Sequence, residues 1–535
     1  MKNLIKIFSI IAFSVFTLQS CIKETFPQDD SATAKQIGES ASALDAAMSG
    51  IPAQLSQGYL VYGNQTDERD MAYPGILLGF NEALGDIFPQ GTNPAYDWYR
   101  QFNIQTGLGP NSYPAYLPWR TFYMFIKSAN DIISAVKQVA EPSDLQKGYL
   151  GMGYAYRAWA YWHMWNMYVP VENQYTTIDA KIKGLTVPLV TDETAETDGK
   201  NNPRVSEDVL YDFIMSDLNM AEEFLNTYTP TTKRYPNLAV VYGLKARAFL
   251  SRLDYANAAV YARKAIDASG CTPLSQAQWE DPNSGFCQAS ANDSWMWYIS
   301  YSAEAMGNLC NWTGWIAGEA DWGYNSLTQF GINRWIYDRI PDSDFRKHSF
   351  IDPKYYDYYD YKTCRDKAFI KGLKPYTSIK FRCVGGDWEN YATGGASDVP
   401  LMRVEEMYLI EAEALGMSSG VNAGVTALTS FMTSYRDPKY MCAITAANAF
   451  QEEILFQKRV ELWGEGLAFF DAKRLRAGSL QSYPGTNAPG DVFKINAVGI
   501  KPGWNYVIPN NEVQNNIALE GFINPDPSGT INPTL

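Results

Sequence analysis

Histidine is scarce in this chain: only His163 and His348 occur among 535 residues. Most zinc sites and most nucleophilic triads require histidine, so the sequence disfavours zinc enzymes and acyl-transfer enzymes. No C-x-x-C pair is present, which removes the usual spacing of structural zinc and of thioredoxin-like redox chemistry. Basic residues are also fewer than acidic ones: the chain has 44 Lys and Arg and 58 Asp and Glu, so its net charge is −14. Such a chain is repelled by phosphate backbones, so we expect no nucleic-acid partner.

Long apolar runs are absent after residue 20, so we expect no membrane-spanning helix there. At the start, Lys2 and Lys6 lead into twelve uncharged residues, 7–18. A helix of that length rises only about 18 Å, which is too short to cross a bilayer. Residues 1–20 are therefore typical of a secretory signal peptide. The sequence Leu-Gln-Ser-Cys that ends at Cys21 resembles a bacterial lipobox, which predicts lipidation of Cys21 and a lipidated, flexible tether over residues 21–35.

The composition is otherwise that of a globular protein, with 46% hydrophobic and 19% charged residues. Aromatic residues make up 14% of the chain, including 15 Trp and 36 Tyr. Such a share excludes a disordered or low-complexity chain and raises the question of what the rings contact.

Six cysteines remain after Cys21, and in an exported chain some of them could be oxidised. Six cysteines allow 15 pairings, and the sequence does not select among them. The six are Cys271, Cys287, Cys310, Cys364, Cys383 and Cys442.

The clearest helical pattern lies at 242–268, where aromatic and alanine residues recur as in a tetratricopeptide hairpin. Small residues at the crossing let two antiparallel helices approach closely. The matching residues are Tyr242, Ala246, Phe249, Ala258, Ala262 and Ala265. Apolar periodicity predicts further helices at 119–137, 150–168, 206–225, 403–415, 427–435 and 450–476, the last interrupted at 464–466. We therefore predict a mainly all-α fold of about four tetratricopeptide-like hairpins.

The pattern changes at residues 271–399, which are rich in Trp, Tyr, Gly, Asn and Asp. We predict an irregular insert there, with strands at 295–299 and 378–381, in one domain over 36–535. The helical frame is predicted at 36–270 and 400–476, and a tail at 477–535 is expected to pack on it. A long segment with little regular structure inside a compact domain is usually functional.

Two segments near the C-terminus, 398–414 and 459–474, carry a further resemblance. The first resembles the signature helix of the SusD/RagB family, and 459–466 with 470–474 resembles the second signature of that family. The segments 344–346 and 376–381 are also similar. Together with the lipobox and the helical hairpin, the resemblance spans almost the whole mature chain.

The resemblance implies a lipid-anchored protein of the outer membrane that faces the cell exterior. It implies a SusC-like TonB-dependent β-barrel transporter as partner and an oligosaccharide as ligand, although some relatives bind peptides. It implies no catalytic residue, no cofactor and no metal.

Exposed aromatic rings suit sugar binding, because the C–H face of a pyranose stacks on a flat ring while polar neighbours bind its hydroxyls. Two segments carry this mixture, one at 93–100 and one within the insert. The candidate ligand-binding residues are Tyr96, Asp97, Trp98, Trp312, Trp315, Trp322, Tyr324 and Trp335. The alternative is that these rings only pack the loops onto the frame, as the helical stripe Trp159, Trp162 and Trp165 is expected to do.

Three rival functions remain open from the sequence. A binder of the same fold could take peptides or another nutrient, because a fold does not fix a ligand. A surface glycosidase would need two carboxylates roughly 5–10 Å apart in a cleft. A scaffold would have no ligand at all.

Overall fold

The computed structural model describes residues 33–63, 67–303, 307, 309 and 311–534. The predicted signal peptide, Cys21 and Cys310 lie outside the described residues. The described α-helices, α1 to α20 in chain order, are Ala34–Glu39, Ala41–Ser56, Tyr73–Leu84, Arg100–Ile104, Tyr113–Lys137, Asp144–Tyr168, Glu207–Leu225, Leu238–Ser251, Tyr255–Ser269, Gln276–Trp279, Thr313–Ile316, Asn325–Thr328, Arg334–Tyr337, Lys367–Gly372, Tyr391–Gly394, Val404–Ser418, Val421–Tyr435, Ala447–Glu461, Ala468–Arg474 and Asn510–Asn515.

The two longest helices, α5 and α6, pack against each other and begin at capping residues. Ser112 caps α5 through its side-chain oxygen, and Ser143 forms a capping box with Gln146 at the start of α6. Helix α6 is buried on nearly every side because α5 and α7 both pack on it. The predicted core position of its tryptophan stripe is confirmed for Trp159, Trp162 and Trp165.

Helices α8 and α9 form the predicted tetratricopeptide-like hairpin. The turn between them has Leu253 in the left-handed region, at φ 60°, and Asp254 caps α9. The alanines at the crossing are fully buried: Ala246, Ala258, Ala262 and Ala265. The next hairpin, α16 and α17, packs on α9, and the predicted fold of helical hairpins is confirmed.

Glycines set the spacing inside that second hairpin. A Cβ on Gly424 of α17 would lie 2.6 Å from the Cα of Gly416 on α16, so a larger side chain cannot fit at this crossing. Further along, α18 ends at Glu461, and Gly464 and Gly466 have φ values of 82° and 76°. The predicted interruption at 464–466 is therefore a backbone turn that glycine adopts readily.

The described strands form three two-stranded antiparallel sheets. The strands, β1 to β6 in chain order, are Ile87–Pro89, Leu185–Pro188, Arg204–Ser206, Trp295–Ser300, Phe330–Ile332 and Asp398–Arg403. The pairs are β1 with β5, β2 with β3, and β4 with β6. The predicted strand at 295–299 is confirmed as β4, and its pairing with β6 attaches the insert to the start of α16.

The predicted strand at 378–381 is wrong. Thr377 and Ser378 make only isolated bridges, to Gly331 and Phe350. Lys380 is drawn into the core instead, where its Nζ donates to the Glu461 and Trp463 carbonyls at 2.9 and 2.8 Å. The Lys380 backbone N–H donates to the Ser378 side-chain oxygen at 3.2 Å, so it is not available to a neighbouring strand.

The segments that resemble family signatures meet in a buried ion network. Glu461, at the end of α18, accepts hydrogen bonds from three arginines. The shortest nitrogen–oxygen distances are 3.0 Å to Arg346, 3.2 Å to Arg403 and 2.7 Å to Arg436. All four side chains are almost fully buried. Burial alone would raise the pKa of Glu461, but the arginines hold it well below its usual range.

Further carboxylates balance the arginines. Glu405 pairs with Arg403 at 2.9 Å and with Arg436 at 3.0 Å. Glu465 pairs with Arg403 at 2.9 Å and with Lys380 at 2.7 Å. The charged residues that the signature segments contribute to this network therefore belong to the core. Each of them is paired, because an unpaired buried charge is costly.

The tail after residue 476 packs on the helical frame. Trp504 is fully buried, and its Nε1 donates to the Ala83 carbonyl at 2.7 Å. In the described part of the chain, no helix has both the length and the apolar character needed to cross a membrane. The described cysteines are free thiols: Cys271, Cys287, Cys364, Cys383 and Cys442.

Candidate ligand-binding surface

The segment after β1 turns two aromatic side chains outward. Asn93 caps a short 3-10 turn, 94–96, by accepting a hydrogen bond from the Ala95 N–H at 3.3 Å. Tyr96 and Trp98 follow, 40% and 41% exposed, whereas Asp97 between them is fully buried. Single exposed apolar residues are common, but adjacent exposed aromatic rings form a patch of the kind that binding sites use.

Tyr324, from the insert, joins these two rings. Its centroid lies 6.0 Å from that of Tyr96 and 6.1 Å from that of Trp98. The Tyr96 and Trp98 rings are 6.4 Å apart and nearly perpendicular, at 88°. We call these three residues the aromatic platform.

Backbone hydrogen bonds hold the two halves of the platform together. The Gln90 and Asn93 N–H groups donate to the Gln329 and Leu327 carbonyls at 2.9 and 3.0 Å. Behind the platform, the buried Trp315 ring lies 4.7 Å from that of Tyr324. The rings therefore stand on a fixed base before any ligand arrives.

Asp97 supports the platform from below. One carboxylate oxygen accepts a hydrogen bond from the Tyr99 N–H at 3.0 Å. Burial raises the pKa of Asp97 to about 7, since removal from water disfavours the charged form. The nearby Glu82 is also fully buried, and burial raises its pKa well above the usual range.

We expect Asp97→Asn to remove a pH dependence of stability. Between pH 4 and 7 the unfolded chain releases the Asp97 proton while the folded chain keeps it, so folding stability falls as pH rises. Asparagine keeps a side-chain oxygen that can accept the hydrogen bond from the Tyr99 N–H. Burying its amide group offsets part of the expected gain in stability. The variant should be about 1 kcal/mol more stable than the wild type at pH 8 and no more stable at pH 4. Urea unfolding at both pH values measures this, and an equal difference at both would contradict the buried-charge explanation.

The other predicted residues lie apart from the platform surface. Trp312 is buried with its ring 5.5 Å from that of Phe381. Trp322 is buried beside Asn311, whose oxygen is 3.4 Å from the indole nitrogen. These rings, like Trp315, fill the interior of the insert, so they cannot stack on a ligand at the surface without rearrangement. Trp335 is half-buried and lies beyond the other end of the β1–β5 pair.

Sequence reasoning did not anticipate the charged residues beside the platform. Burial raises the pKa of the Tyr324 hydroxyl, and the charges of Glu68 and Asp67 raise it further. Asp67 pairs with Arg69 at 2.6 Å, and the Arg69 guanidinium lies 3.8 Å from the centre of the Tyr113 ring. These residues are about 250 positions from Tyr324 in the chain, and no local pattern marks them.

Among the described residues, no group of three or more His, Cys, Asp and Glu side chains is placed to hold a metal ion. His163 is buried, with its Nε2 2.9 Å from the Tyr73 hydroxyl, and burial lowers its pKa to about 3. Asp342 accepts hydrogen bonds from Lys347 and Lys354, which hold its pKa well below the usual range.

The helical hairpins, the aromatic insert and the buried ion network define a SusD-like fold. A SusD-like family model described as "Starch-binding associating with outer membrane" matches residues 88–250. A second model, of the SusD family, matches residues 354–523. The two matches cover more than half of the chain, which belongs to the SusD family.

Individual relatives agree with this assignment. The SusD-like protein P38 of Formosa agariphila is 27% identical over 217 residues, which are 40% of this chain and only 39% of that relative. A SusD-like carbohydrate binding protein from Bacteroides vulgatus has a similar fold, with a TM-score of 0.69 at 19% identity over 92% of this chain and 98% of that one. Surface glycan-binding protein A from Bacteroides thetaiotaomicron gives a TM-score of 0.63 at 15% identity, over 90% of this chain and 98% of that one.

Proposed function

We propose that this protein is a non-catalytic surface lipoprotein that captures oligosaccharides on the aromatic platform. It delivers them to a SusC-like TonB-dependent β-barrel transporter. The observation that carries the proposal is the exposure of Tyr96 and Trp98 beside Tyr324 on a loop fixed to the insert. Two of the structural relatives are named for carbohydrate or glycan binding, which supports the same ligand class.

The geometry of the platform suits a sugar chain. Tyr96 and Trp98 stand nearly perpendicular, so two successive sugar rings can each face an aromatic ring only if the chain bends between them. A curved oligosaccharide therefore fits better than a straight one. The hydroxyl of Tyr96 and the carboxylate of Glu68 supply polar partners for sugar hydroxyls, and the buried Tyr324 ring backs the two exposed rings.

The carboxylates around the aromatic platform favour binding over hydrolysis. A glycosidase needs two carboxyl groups that reach the scissile bond from either side. Among the described residues near the platform, Asp97 and Glu82 are fully buried and Asp67 pairs with Arg69 at 2.6 Å, which leaves Glu68 as a single carboxylate without an ion pair. This arrangement supports a binding protein, and the SusD family assignment agrees with it.

The proposed location rests on Cys21 and on the family. Lipidation of Cys21 would anchor the chain in the outer membrane, facing the exterior. The description of the first matching family model names association with the outer membrane. Several buried acyl chains, at about 0.8 kcal/mol per CH₂, hold a protein far longer than one chain does.

Native affinity electrophoresis tests the ligand class. The mature chain, with Cys21→Ser to prevent lipidation, is run through gels that contain plant, host or microbial polysaccharides. We expect retardation by a restricted set of glycans without any shortening of their chains. Retardation by none of them, together with binding of peptides, would replace glycan by peptide as the cargo. Release of shorter products would identify a glycosidase instead.

A further inference from the structure

A second concave site lies away from the aromatic platform. It is a groove of about 690 Å³ between helix α18 and the Trp335–Arg339 segment, closed at one side by residues 475–478. Helix α18 lines it with side chains three or four positions apart, which lie on one face of a helix. We call it the arginine groove; its principal residues are Trp335, Arg339, Gln451, Phe456, Arg459 and Arg476.

The β1–β5 pair separates the groove from the platform. The strands are antiparallel, with Pro89 opposite Phe330 at one end and Ile87 opposite Ile332 at the other. Strand β1 leads from its Pro89 end to Tyr96, and β5 leads from its Ile332 end to Trp335. The two aromatic positions therefore lie beyond opposite ends of the pair, and a variant at one site can leave the other intact.

Arg339 is the unusual residue of the groove. Its guanidinium lies 4.1 Å from the centre of the Phe456 ring and 4.9 Å from that of Trp335. Contact with these rings removes part of the water around the otherwise exposed guanidinium, which lowers its pKa. No hydrogen bond or ion pair joins the Arg339 guanidinium to another described side chain. Its fork of N–H donors is thus oriented by the rings and available to an acceptor.

The charges around Arg339 leave its guanidinium without an ion pair. Arg459 also lines the groove, but its guanidinium is held by two hydrogen bonds to Asp86. Glu452 lines the groove and Glu453 lies near it, and both act on Arg339 through their charge without pairing with it within the described residues. Arg476 lies where the groove meets a neighbouring pocket that contains Glu172, and it makes no side-chain ion pair within the described residues.

We propose that the arginine groove binds the anionic group of an acidic sugar residue. Arg339 donates a pair of hydrogen bonds to a carboxylate or sulfate, and Arg476 adds a second positive charge. Leu455 and Ala477 line the same groove and give the sugar ring apolar contact. The volume is within the range of small-molecule sites. This inference rests on the proposed function in taking the ligand to be a glycan, but it concerns a separate site with a separate charge preference.

Isothermal titration calorimetry tests the proposal with matched probes. The mature Cys21→Ser chain is titrated with tetragalacturonate, with its uncharged methyl ester, with sulfated dextran oligomers against unsulfated ones, and with inorganic sulfate. We expect binding of at least one charged oligosaccharide and at least tenfold weaker binding of its uncharged counterpart. Arg339→Gln should weaken the charged probe at least tenfold, and Arg476→Gln less. Because the Arg339 side chain is exposed and without an ion pair, both variants should unfold at the wild-type midpoint.

Two controls make the outcome specific. Arg252→Gln removes the same charge from an exposed pair with Asp208, outside the groove, and should leave binding unchanged. In a chain that carries Trp98→Ala, Arg339→Gln should still weaken binding of the charged probe at least tenfold, because the groove lies apart from the platform. Equal binding by the wild type and Arg339→Gln, or loss of binding only in Trp98→Ala, would overturn the proposal. So would Arg339-dependent binding of inorganic sulfate without binding of either charged oligosaccharide, since that describes an ion site rather than a sugar site.

The affinity gels, taken with the calorimetry, distinguish failure of the groove proposal from failure of the platform proposal. If neutral glycans retard the chain and charged oligosaccharides do not bind, the groove proposal is wrong and the platform proposal stands. If no glycan of either kind binds, both are wrong.

Discussion

Trp98→Ala should weaken binding of the glycan that most retards the wild-type chain by about 30-fold or more, which corresponds to about 2 kcal/mol. Trp98 is the largest ring of the aromatic platform and 41% exposed. Its indole offers a sugar more flat apolar area than either tyrosine, so truncation removes the main stacking surface. Calorimetry with an oligosaccharide of that glycan measures the change. Because the ring is exposed, the unfolding midpoint should fall by little.

A matched control separates stacking from a general loss of exposed aromatic area. Phe522 is 39% exposed and lies against Lys181, 5.5 Å from its ring centre. Phe522→Ala should bind the glycan as the wild type does. Tyr324→Phe keeps the ring and removes the hydroxyl, so it should lose less affinity than Trp98→Ala. An unchanged dissociation constant for Trp98→Ala would place the ligand outside the aromatic platform.

Glu461→Gln should destabilise the fold by about 3–5 kcal/mol. The change is nearly isosteric, but it removes the carboxylate that accepts hydrogen bonds from Arg346, Arg403 and Arg436 in the core. Three buried guanidinium groups would then share fewer negative partners, and an uncompensated buried charge is costly. Urea unfolding followed by tryptophan fluorescence and by circular dichroism measures the loss. The control is Asp131→Asn, which breaks an exposed i,i+4 pair with Lys127 and should cost less than about 1 kcal/mol.

Glu461→Gln should also change how the free energy of unfolding depends on pH in the acid range. The arginines hold the pKa of Glu461 below its value in the unfolded chain. The carboxylate therefore contributes stability that is present above about pH 4.5 and is lost as pH falls further. The difference in the free energy of unfolding between the wild type and Glu461→Gln should become smaller below pH 4.5. A gap that stays constant down to pH 2 would show that packing, rather than charge, explains the loss.

Local sequence patterns were sufficient to predict much of the helical frame. The spacing of Ala246, Ala258, Ala262 and Ala265 predicted the close crossing of α8 and α9, because helix contacts recur every three or four residues. The helix predicted at 206–225 is confirmed as α7, which Ser206 caps. The strand predicted at 378–381 does not form: the Lys380 N–H donates to the Ser378 side chain, and the Lys380 side chain is held in the core by groups more than 80 residues away in the sequence.

The candidate site was harder to predict. Tyr96, Trp98 and Tyr324 were selected for residue type, together with Trp312, Trp315 and Trp322. The structure exposes the first two and places Tyr324 beside them, while the three tryptophans pack inside the insert. No local pattern in the insert distinguishes a buried indole from an exposed one, since its chain lacks a regular repeat.

The sequence by itself determined the helical hairpins, the family signatures and the supply of aromatic rings, because these depend on residue type and on spacing along one segment. Only the tertiary structure decided which rings face solvent and which sites they form. That choice depends on contacts between distant segments, such as the hydrogen bonds from residues 90–93 to 327–329. The antiparallel β1–β5 pair likewise places Trp98 and Trp335 beyond its opposite ends. Two residues predicted for one ligand site therefore lie at two different sites, the aromatic platform and the arginine groove.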